Sequence, residues 1–133
     1  MKDWFAVTRP RSLLQAEGVL ELVAACIAYG HLYPGKWVLF ALLFLVPDVS
    51  LLGYLSGKNS SPGKPAAAAF YNVLHSYILP LLLGFAAWRY DSVWSGEIAL
   101  IWLAHIGFDR MLGYGLKFPG SFKHTHIQSA ESM

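Results

Sequence analysis

The sequence predicts an all-α fold of the membrane class, a single transmembrane domain built as a four-helix bundle. The chain of 133 residues is 56% hydrophobic and only 14% charged, whereas soluble domains are roughly 45–50% apolar and 25% charged. Its apolar residues also fall into four blocks of about 20 residues, the length that a helix needs to cross a bilayer. Short segments rich in Pro, Gly, Lys and Ser separate the blocks.

The helix limits follow from capping residues and turn residues. Ser12 is a candidate N-cap for the first helix, and Ser92 or Ser95 for the last. Pro34-Gly35 is a turn signal between the first two helices. The predicted helices cover residues 12–32, 37–56, 66–88 and 95–117, and residues 118–133 form a polar tail.

Two prolines lie inside predicted helices and are expected to disturb them. Pro47 cannot donate to the helix ladder and clashes with the carbonyl of Leu43, so a kink is predicted there. Pro80 would free the carbonyl of Ser76 in the same way. Freed carbonyls in membrane proteins tend to line cavities, which gives Asp48, directly after Pro47, a reason to face the interior.

The basic residues predict the orientation. Lys and Arg concentrate near both termini and in the loop of residues 57–65, whereas the two other turns contain only Lys36 and Arg89. The positive-inside rule therefore places both termini in the cytoplasm. A formal net charge of +2 without a long basic block argues against nucleic acid binding. Cys26 is the only cysteine, so an intrachain disulfide is excluded.

The polar residues inside the predicted spans all lie at one depth, in the cytoplasmic half of the bilayer. The stretch of residues 102–117 is the clearest case, because His105 and Asp109 are i and i+4 on one helix face. Such residues are costly in lipid unless they are paired, hydrated or bound to a ligand. The layer consists of Glu17, Glu21, Asp48, His75, His105, Asp109 and Arg110.

The charge balance of this layer favours a bound cation. It contains four acids and one permanent cation, and unprotonated carboxylates in low dielectric need compensation. Two imidazoles and two carboxylates are a nitrogen and oxygen ligand set suited to Zn, Mn or Fe(II). The predicted metal ligands are Asp48, His75, His105 and Asp109. In the alternative interpretation each histidine only forms interhelical hydrogen bonds.

Several motifs resemble a family of small bacterial integral membrane proteins classed as a domain of unknown function. The resemblance lies in E-G (17–18), FLVPDVSLLGYL (44–55), YNVLHSY (71–77), AHIGFDRMLGYGLKF (104–118) and THI (125–127). More distantly, Pro47-Asp48, His75-Ser76 and His105/Asp109 are similar to the metal motifs of the inner-membrane metal-dependent hydrolase family. The resemblance implies a multi-pass protein of the bacterial inner membrane.

Three functions remain open on this evidence. The leading hypothesis is a metal-dependent hydrolase acting on a lipid-linked or amphiphilic substrate in the bilayer, with Glu17 or Glu21 as general base or support for a ligand and Arg110 as a clamp for an anionic group. The second is proton- or cation-coupled transport, which would need a homo-oligomer because four spans enclose little volume. The third is a non-enzymatic membrane assembly factor.

Overall fold

A computed structural model describes residues 9–48, 65–114, 117–118 and 121–125. The elements in chain order are α1 (Pro10–Leu32), α2 (Trp37–Phe44), a 3-10 turn (Val46–Asp48), α3 (Pro65–Leu74), α4 (Ile78–Tyr90), α5 (Val93–Met111), β1 (Lys117–Phe118) and β2 (Ser121–Thr125). The two strands pair antiparallel. Among the described residues, every element before this short hairpin is helical, as the predicted all-α class requires.

Helix α1 starts slightly earlier than predicted and ends where predicted. Its N-cap is Arg9 rather than Ser12, and Pro10 occupies the first turn. Proline is favoured there because its missing N–H would lack a helical partner in any case. At the other end the backbone N–H of Tyr33 donates to the carbonyl of Tyr29.

Helix α5 is capped as predicted but ends well before the predicted limit at Lys117. Its N-cap is Ser92, whose hydroxyl accepts the backbone N–H of Ser95 at 3.4 Å. At its C-terminal end Gly113 adopts a positive φ of 90°. The N–H of Tyr114 donates to the carbonyl of Asp109, and that of Gly113 to the carbonyl of Arg110. These bonds form a Schellman motif, which stops the helix.

The predicted third helix is two helices, α3 and α4, separated at His75–Tyr77. Pro80 explains the position of the break, because its ring is incompatible with a helical carbonyl at Ser76. Trp102 on α5 donates its indole N–H to the carbonyl of Leu74 at 2.6 Å, at the end of α3. This bond satisfies a carbonyl at the break that a continuous helix would have paired internally.

The predicted second helix is likewise interrupted at its proline. Helix α2 ends at Phe44, and a 3-10 turn follows through Pro47 to Asp48. The kink expected at Pro47 is therefore a change of helix type. Residues 49–56, which the sequence assigns to the same helix, lie outside the described part of the chain.

Helices α1 and α5 run antiparallel and form the most extensive helix contact among the described elements. Their backbones touch where Gly18 faces Gly107. A Cβ added at Gly18 would lie 2.6 Å from the backbone nitrogen of Met111 and 2.7 Å from the carbonyl oxygen of Gly107. A Cβ at Gly107 would lie 2.8 Å from the carbonyl oxygen of Gly18. Only glycine at both positions permits this close approach.

The opposite end of the α1–α5 pair contains an ion pair. The ammonium of Lys36, in the turn before α2, binds the carboxylate of Glu97, which is fully buried on α5. Tyr29 is also fully buried there and donates its hydroxyl to the carbonyl of Lys36 at 3.1 Å. Because Lys36 joins α2 to α5 near their starts, these two helices run in the same direction.

Two helical stretches are long and apolar enough to cross a membrane, judged by length and composition: Pro10–Leu32 and Ala69–Tyr90. A shorter apolar stretch covers Trp37–Asp48. Large apolar side chains are exposed on the surface, including Leu20 at 69% and Trp88 at 75%. This surface is consistent with association with a membrane.

Candidate metal centre

The four predicted ligands come from three elements, and each lies at or near a helix end. Asp48 ends the 3-10 turn after α2. His75 is the first residue after α3, at the break. His105 and Asp109 lie on the last turns of α5, where the Schellman motif holds the backbone carbonyl of Asp109. The helix interruptions at Pro47 and Pro80 and the helix end at Gly113 thus position the four side chains that the sequence predicts as ligands.

The structure brings these four side chains together. Their ligand atoms all lie within 4.8 Å of one another. The Nε2 atom of His105 is 3.2 Å from Asp109 Oδ2 and 3.4 Å from Asp48 Oδ1. The Nε2 atom of His75 is 3.3 Å from Asp109 Oδ2, 3.8 Å from Asp48 Oδ1 and 3.4 Å from His105 Nε2.

Five of the six spacings in this ligand set are close to the edge length of a tetrahedral metal site. With metal–ligand bonds of about 2.0–2.2 Å, two ligand atoms of a tetrahedron lie about 3.3 Å apart. The five nitrogen–oxygen and nitrogen–nitrogen distances given above range from 3.2 to 3.8 Å. The donor set also fits, since imidazole and carboxylate together suit Zn, Mn or Fe(II).

The protonation of His75 adds a second argument for a cation. Its Nδ1 atom lies 2.9 Å from the carbonyl oxygen of Tyr71, and because a carbonyl can only accept, Nδ1 carries the proton. In the neutral ring Nε2 is then an acceptor, which can accept a proton donated by Nε2 of His105 or bind a metal ion. An imidazole whose outer nitrogen donates to a carbonyl is typical of metal ligands.

The cluster is buried on the histidine side and open on one aspartate side. The side chains of His75 and His105 are 3% and 1% exposed, that of Asp109 is 16% exposed, and that of Asp48 is 45% exposed. Low exposure strengthens electrostatic interactions among these groups. Asp48 marks the side from which a small molecule can approach.

Aromatic rings hold both imidazoles in place. Tyr71 stacks on His75 with ring centroids 3.9 Å apart and planes 12° apart. Phe44 meets His105 edge-on at 5.2 Å. The Nδ1 atom of His105 is buried and makes no well-formed hydrogen bond to the described residues, although the backbone of Phe44 interacts with this ring. The orientation of His105 is therefore set by packing against Phe44 and by the contact of its Nε2 atom with Asp109.

Of the three predicted catalytic residues, Glu21 and Arg110 meet at Tyr77, whereas Glu17 is exposed on α1. Glu21 is half-buried and accepts the hydroxyl of Tyr77 at 2.6 Å. The guanidinium of Arg110 lies 4.2 Å from the centre of the Tyr77 ring and interacts with the charge of Glu21. Glu17 is exposed, one turn earlier on α1. The structure thus forms one polar group from Glu21, Tyr77 and Arg110, and Arg110 directly follows the predicted ligand Asp109.

A narrow indentation of about 10 Å³, room for about one water molecule, lies between Arg110 of this group and the cluster. It is lined by Tyr71, His75, Ile106, Asp109, Arg110 and Tyr114. Arg110 thus lines the same indentation as His75 and Asp109, two of the four predicted ligands. An anionic group bound to the cluster would lie next to a permanent positive charge.

Sequence reasoning missed several residues that the structure brings into play. Tyr77 and Tyr71 both belong to the YNVLHSY motif. The partner of the Tyr77 hydroxyl, Glu21, lies on another helix and has no local signal, whereas the partner of the Tyr71 carbonyl, His75, is its i+4 neighbour. Glu97 was detectable, because it is an acid inside a predicted span. It also contradicts the expectation of a single polar layer, since it lies two helical turns before His105.

The fold and the cluster together define a class: a helical protein with an apolar exterior and a His/Asp cluster of metal-ligand composition. The chain belongs to the family described as Domain of unknown function (DUF4260), whose model matches residues 11–130. This confirms the resemblance to a domain-of-unknown-function family. No curated protein and no solved structure shows a significant match to the chain. The similarity to metal-dependent hydrolases stays a prediction.

Proposed function

We propose that the chain is a multi-pass protein of the bacterial inner membrane that holds one divalent metal ion at Asp48, His75, His105 and Asp109 and hydrolyses an amphiphilic substrate. The observation that supports this proposal most strongly is the convergence of four ligand atoms from three separate elements to within 4.8 Å of one another.

A hydrolytic role follows from the groups around the cluster. When bound, such an ion supplies Lewis-acid polarisation and activates water for attack at neutral pH. Glu21 is the candidate proton acceptor among the two glutamates, because Tyr77 holds its carboxylate in one orientation. Arg110 is placed to bind an anionic part of the substrate. The order P-D, H-S and H-x-x-x-D, similar to that of inner-membrane hydrolases, falls on the residues that meet in the cluster.

The membrane part of the proposal rests on the apolar helices and the loop charges. Two stretches have the length and composition of membrane spans. The antiparallel contact of α1 with α5 fits an even number of crossings with both termini on one side, and the positive-inside rule makes that side the cytoplasm. Reporter fusions at Lys2 and Met133 test the orientation, and a periplasmic reading at either end contradicts it.

Elemental analysis of the purified protein tests the metal. We expect about one Zn, Mn or Fe per chain in the wild type. Removing one of four ligands sacrifices roughly a quarter of a binding free energy of about 10–16 kcal/mol, or about 100-fold to 1,000-fold in affinity. Asp109→Asn and His105→Ala should therefore lose the metal during purification.

Matched controls exist for both substitutions. Asp91→Asn changes an exposed aspartate at a positive φ of 51°, which asparagine tolerates, and His31→Ala changes an exposed histidine. Both should retain the metal. A metal-free wild-type protein, or unchanged metal content in Asp109→Asn, contradicts the proposal and favours a cluster of interhelical hydrogen bonds, as expected of an assembly factor.

One observation favours the alternative of proton-coupled transport. Glu97, Ile101, His105 and Asp109 follow each other at intervals of four residues, so they form one stripe along α5. Both ends of this stripe carry acids, and the completely buried Ile101 separates them. Proton flux into liposomes containing the purified protein tests this function. Flux that Glu97→Gln abolishes would support transport, and its absence would leave hydrolysis as the proposal.

A further inference from the structure

An apolar pocket of about 220 Å³ lies between the elements that carry the predicted ligands. It is lined by Leu43, Val46, Pro47, Leu74, Ile98, Ile101 and Trp102. All seven are apolar or aromatic, and the indole N–H of Trp102 is already engaged with the carbonyl of Leu74. A ligand in this pocket would therefore find no free polar partner among these side chains.

The pocket adjoins the cluster through the chain itself. Pro47 directly precedes Asp48, and Leu74 directly precedes His75. Ile101 lies one helical turn before His105 on α5. Each element that contributes a predicted metal ligand thus also contributes a wall of the pocket.

The apolar pocket and the polar indentation lie on opposite sides of His105 along α5. The pocket contains Ile98, Ile101 and Trp102, which precede His105. The indentation contains Asp109 and Arg110, which follow it, close to the C-terminal end of the helix. If α5 crosses a bilayer, its C-terminal end lies near the interface and the pocket lies deeper. An anionic lipid is arranged in the same order, with its charged group at the interface and its hydrocarbon chain deeper in the bilayer.

We propose that the pocket is the subsite for one hydrocarbon chain of an anionic amphiphile, whose charged group lies at the surface beside Arg110 and the indentation that leads to the His/Asp cluster. This inference rests on the proposed function and specifies its substrate class. The volume agrees with a chain segment, since a cavity of about 150 Å³ lined by similar side chains holds one benzene molecule. A sugar or a base would leave its polar groups without partners there.

The free energy of binding comes mainly from the charged end. A hydrocarbon chain in an apolar pocket gains little over the same chain in lipid, because lipid tails are equally apolar. The pocket therefore selects and orients the chain, and Arg110, aided by a metal ion when the cluster holds one, supplies affinity. Losing one charge-assisted contact corresponds to a binding constant weakened by about tenfold or more.

Photolabelling of the full-length protein in nanodiscs tests this inference. The probe is dodecyl phosphate with a diazirine in its chain, and labelled peptides are identified by mass spectrometry. We expect labelling of Ile98 to Trp102 to saturate with probe concentration. Labelling of Leu82, an exposed residue on α4 at 60% exposure, should instead rise linearly, as expected for bulk lipid contact.

Variants make the result specific. Ile98→Trp fills the pocket and should abolish the saturable labelling. If Ile98→Trp does not fold, Val46→Phe at the more exposed rim of the pocket is the second variant, and it should reduce the saturable labelling. Leu82→Trp is the matched control and should leave it unchanged. Arg110→Gln should raise the half-saturating concentration by about tenfold, whereas Arg110→Lys should recover part of that loss.

Two results would overturn the inference: linear labelling at Ile98 to Trp102 in the wild type, or saturable labelling that persists in both pocket variants. The metal content of the same preparations is measured separately. Absent metal with saturable labelling overturns the proposed function and leaves the chain subsite standing. Bound metal with linear labelling does the reverse.

Discussion

Replacing Gly18 by alanine should force α1 away from α5 and destabilise the protein. A Cβ at Gly18 would lie 2.6 Å from the nitrogen of Met111, 2.7 Å from the oxygen of Gly107 and 2.8 Å from Cβ of Arg110. Ordinary contacts begin near 3.4 Å, so the helices must separate by about 0.8 Å. Overpacking of this kind costs about 1–3 kcal/mol, and alanine recovers up to about 1 kcal/mol through its higher helix propensity.

Gly84→Ala supplies the matched control for this substitution. A Cβ at Gly84 would find its nearest neighbour, Cβ of Ala99, at 4.0 Å, which is ordinary contact. That variant should therefore gain about 0.5–1 kcal/mol from helix propensity alone. The two substitutions are chemically identical but are expected to have opposite signs.

Reversible unfolding in mixed micelles measures both variants. Gly18→Ala should unfold earlier than the wild type and Gly84→Ala later. Gly107→Ala shares the same contact, so the double variant Gly18→Ala/Gly107→Ala should lose less than the sum of the single losses. The close backbone approach is refuted if Gly18→Ala is as stable as Gly84→Ala, or if the two losses at the crossing add fully.

Two further predictions concern polar contacts between helices. Tyr77→Phe removes the hydroxyl that donates to Glu21 at 2.6 Å and should cost about 1–3 kcal/mol in the same assay; an unchanged unfolding midpoint would contradict the contact. At the other end, the hydrogen bond to Glu97 raises the pKa of Lys36, which lies in a turn outside the spans, above its ordinary value of 10.5. A raised pKa means that the stabilisation is complete below the ordinary lysine range and disappears as the pH rises through the raised value. The stability advantage of the wild type over Lys36→Met should thus be constant from about pH 7 to about 10 and should shrink above pH 10. If this advantage is already lost at neutral pH, the Lys36–Glu97 ion pair is contradicted.

Much of the architecture could be predicted because long apolar segments favour membrane helices, and because proline, glycine and capping serine residues limit helices locally. Proline and glycine limited the first helix at Leu32, and a serine hydroxyl capped the last helix at Ser92. The four candidate ligands were also recognisable, because ionisable groups in apolar helices are expensive and stand out from their surroundings. Their common depth followed from helix rise alone, and the structure brings them within 4.8 Å.

Other features depended partly on backbone conformation and on contacts between helices. The apolar sequence continues beyond Met111, so only the left-handed backbone of Gly113 ends α5 there. The break at His75–Tyr77 needs Trp102 from another helix to satisfy the carbonyl of Leu74. The pairing of Glu97 with Lys36 depends on two helices starting side by side.

By itself, the sequence determined the helical class, the apolar surface and the identity of the candidate ligands, because each follows from composition, from spacing along one helix or from the cost of polar groups in hydrocarbon. Only the tertiary structure decided the rest: that Gly18 and Gly107 let two backbones touch, that Glu21 rather than Glu17 joins Tyr77 and Arg110, and that an apolar pocket adjoins the cluster. These depend on how separate helices approach one another, and such approaches are set by packing between residues far apart in the chain.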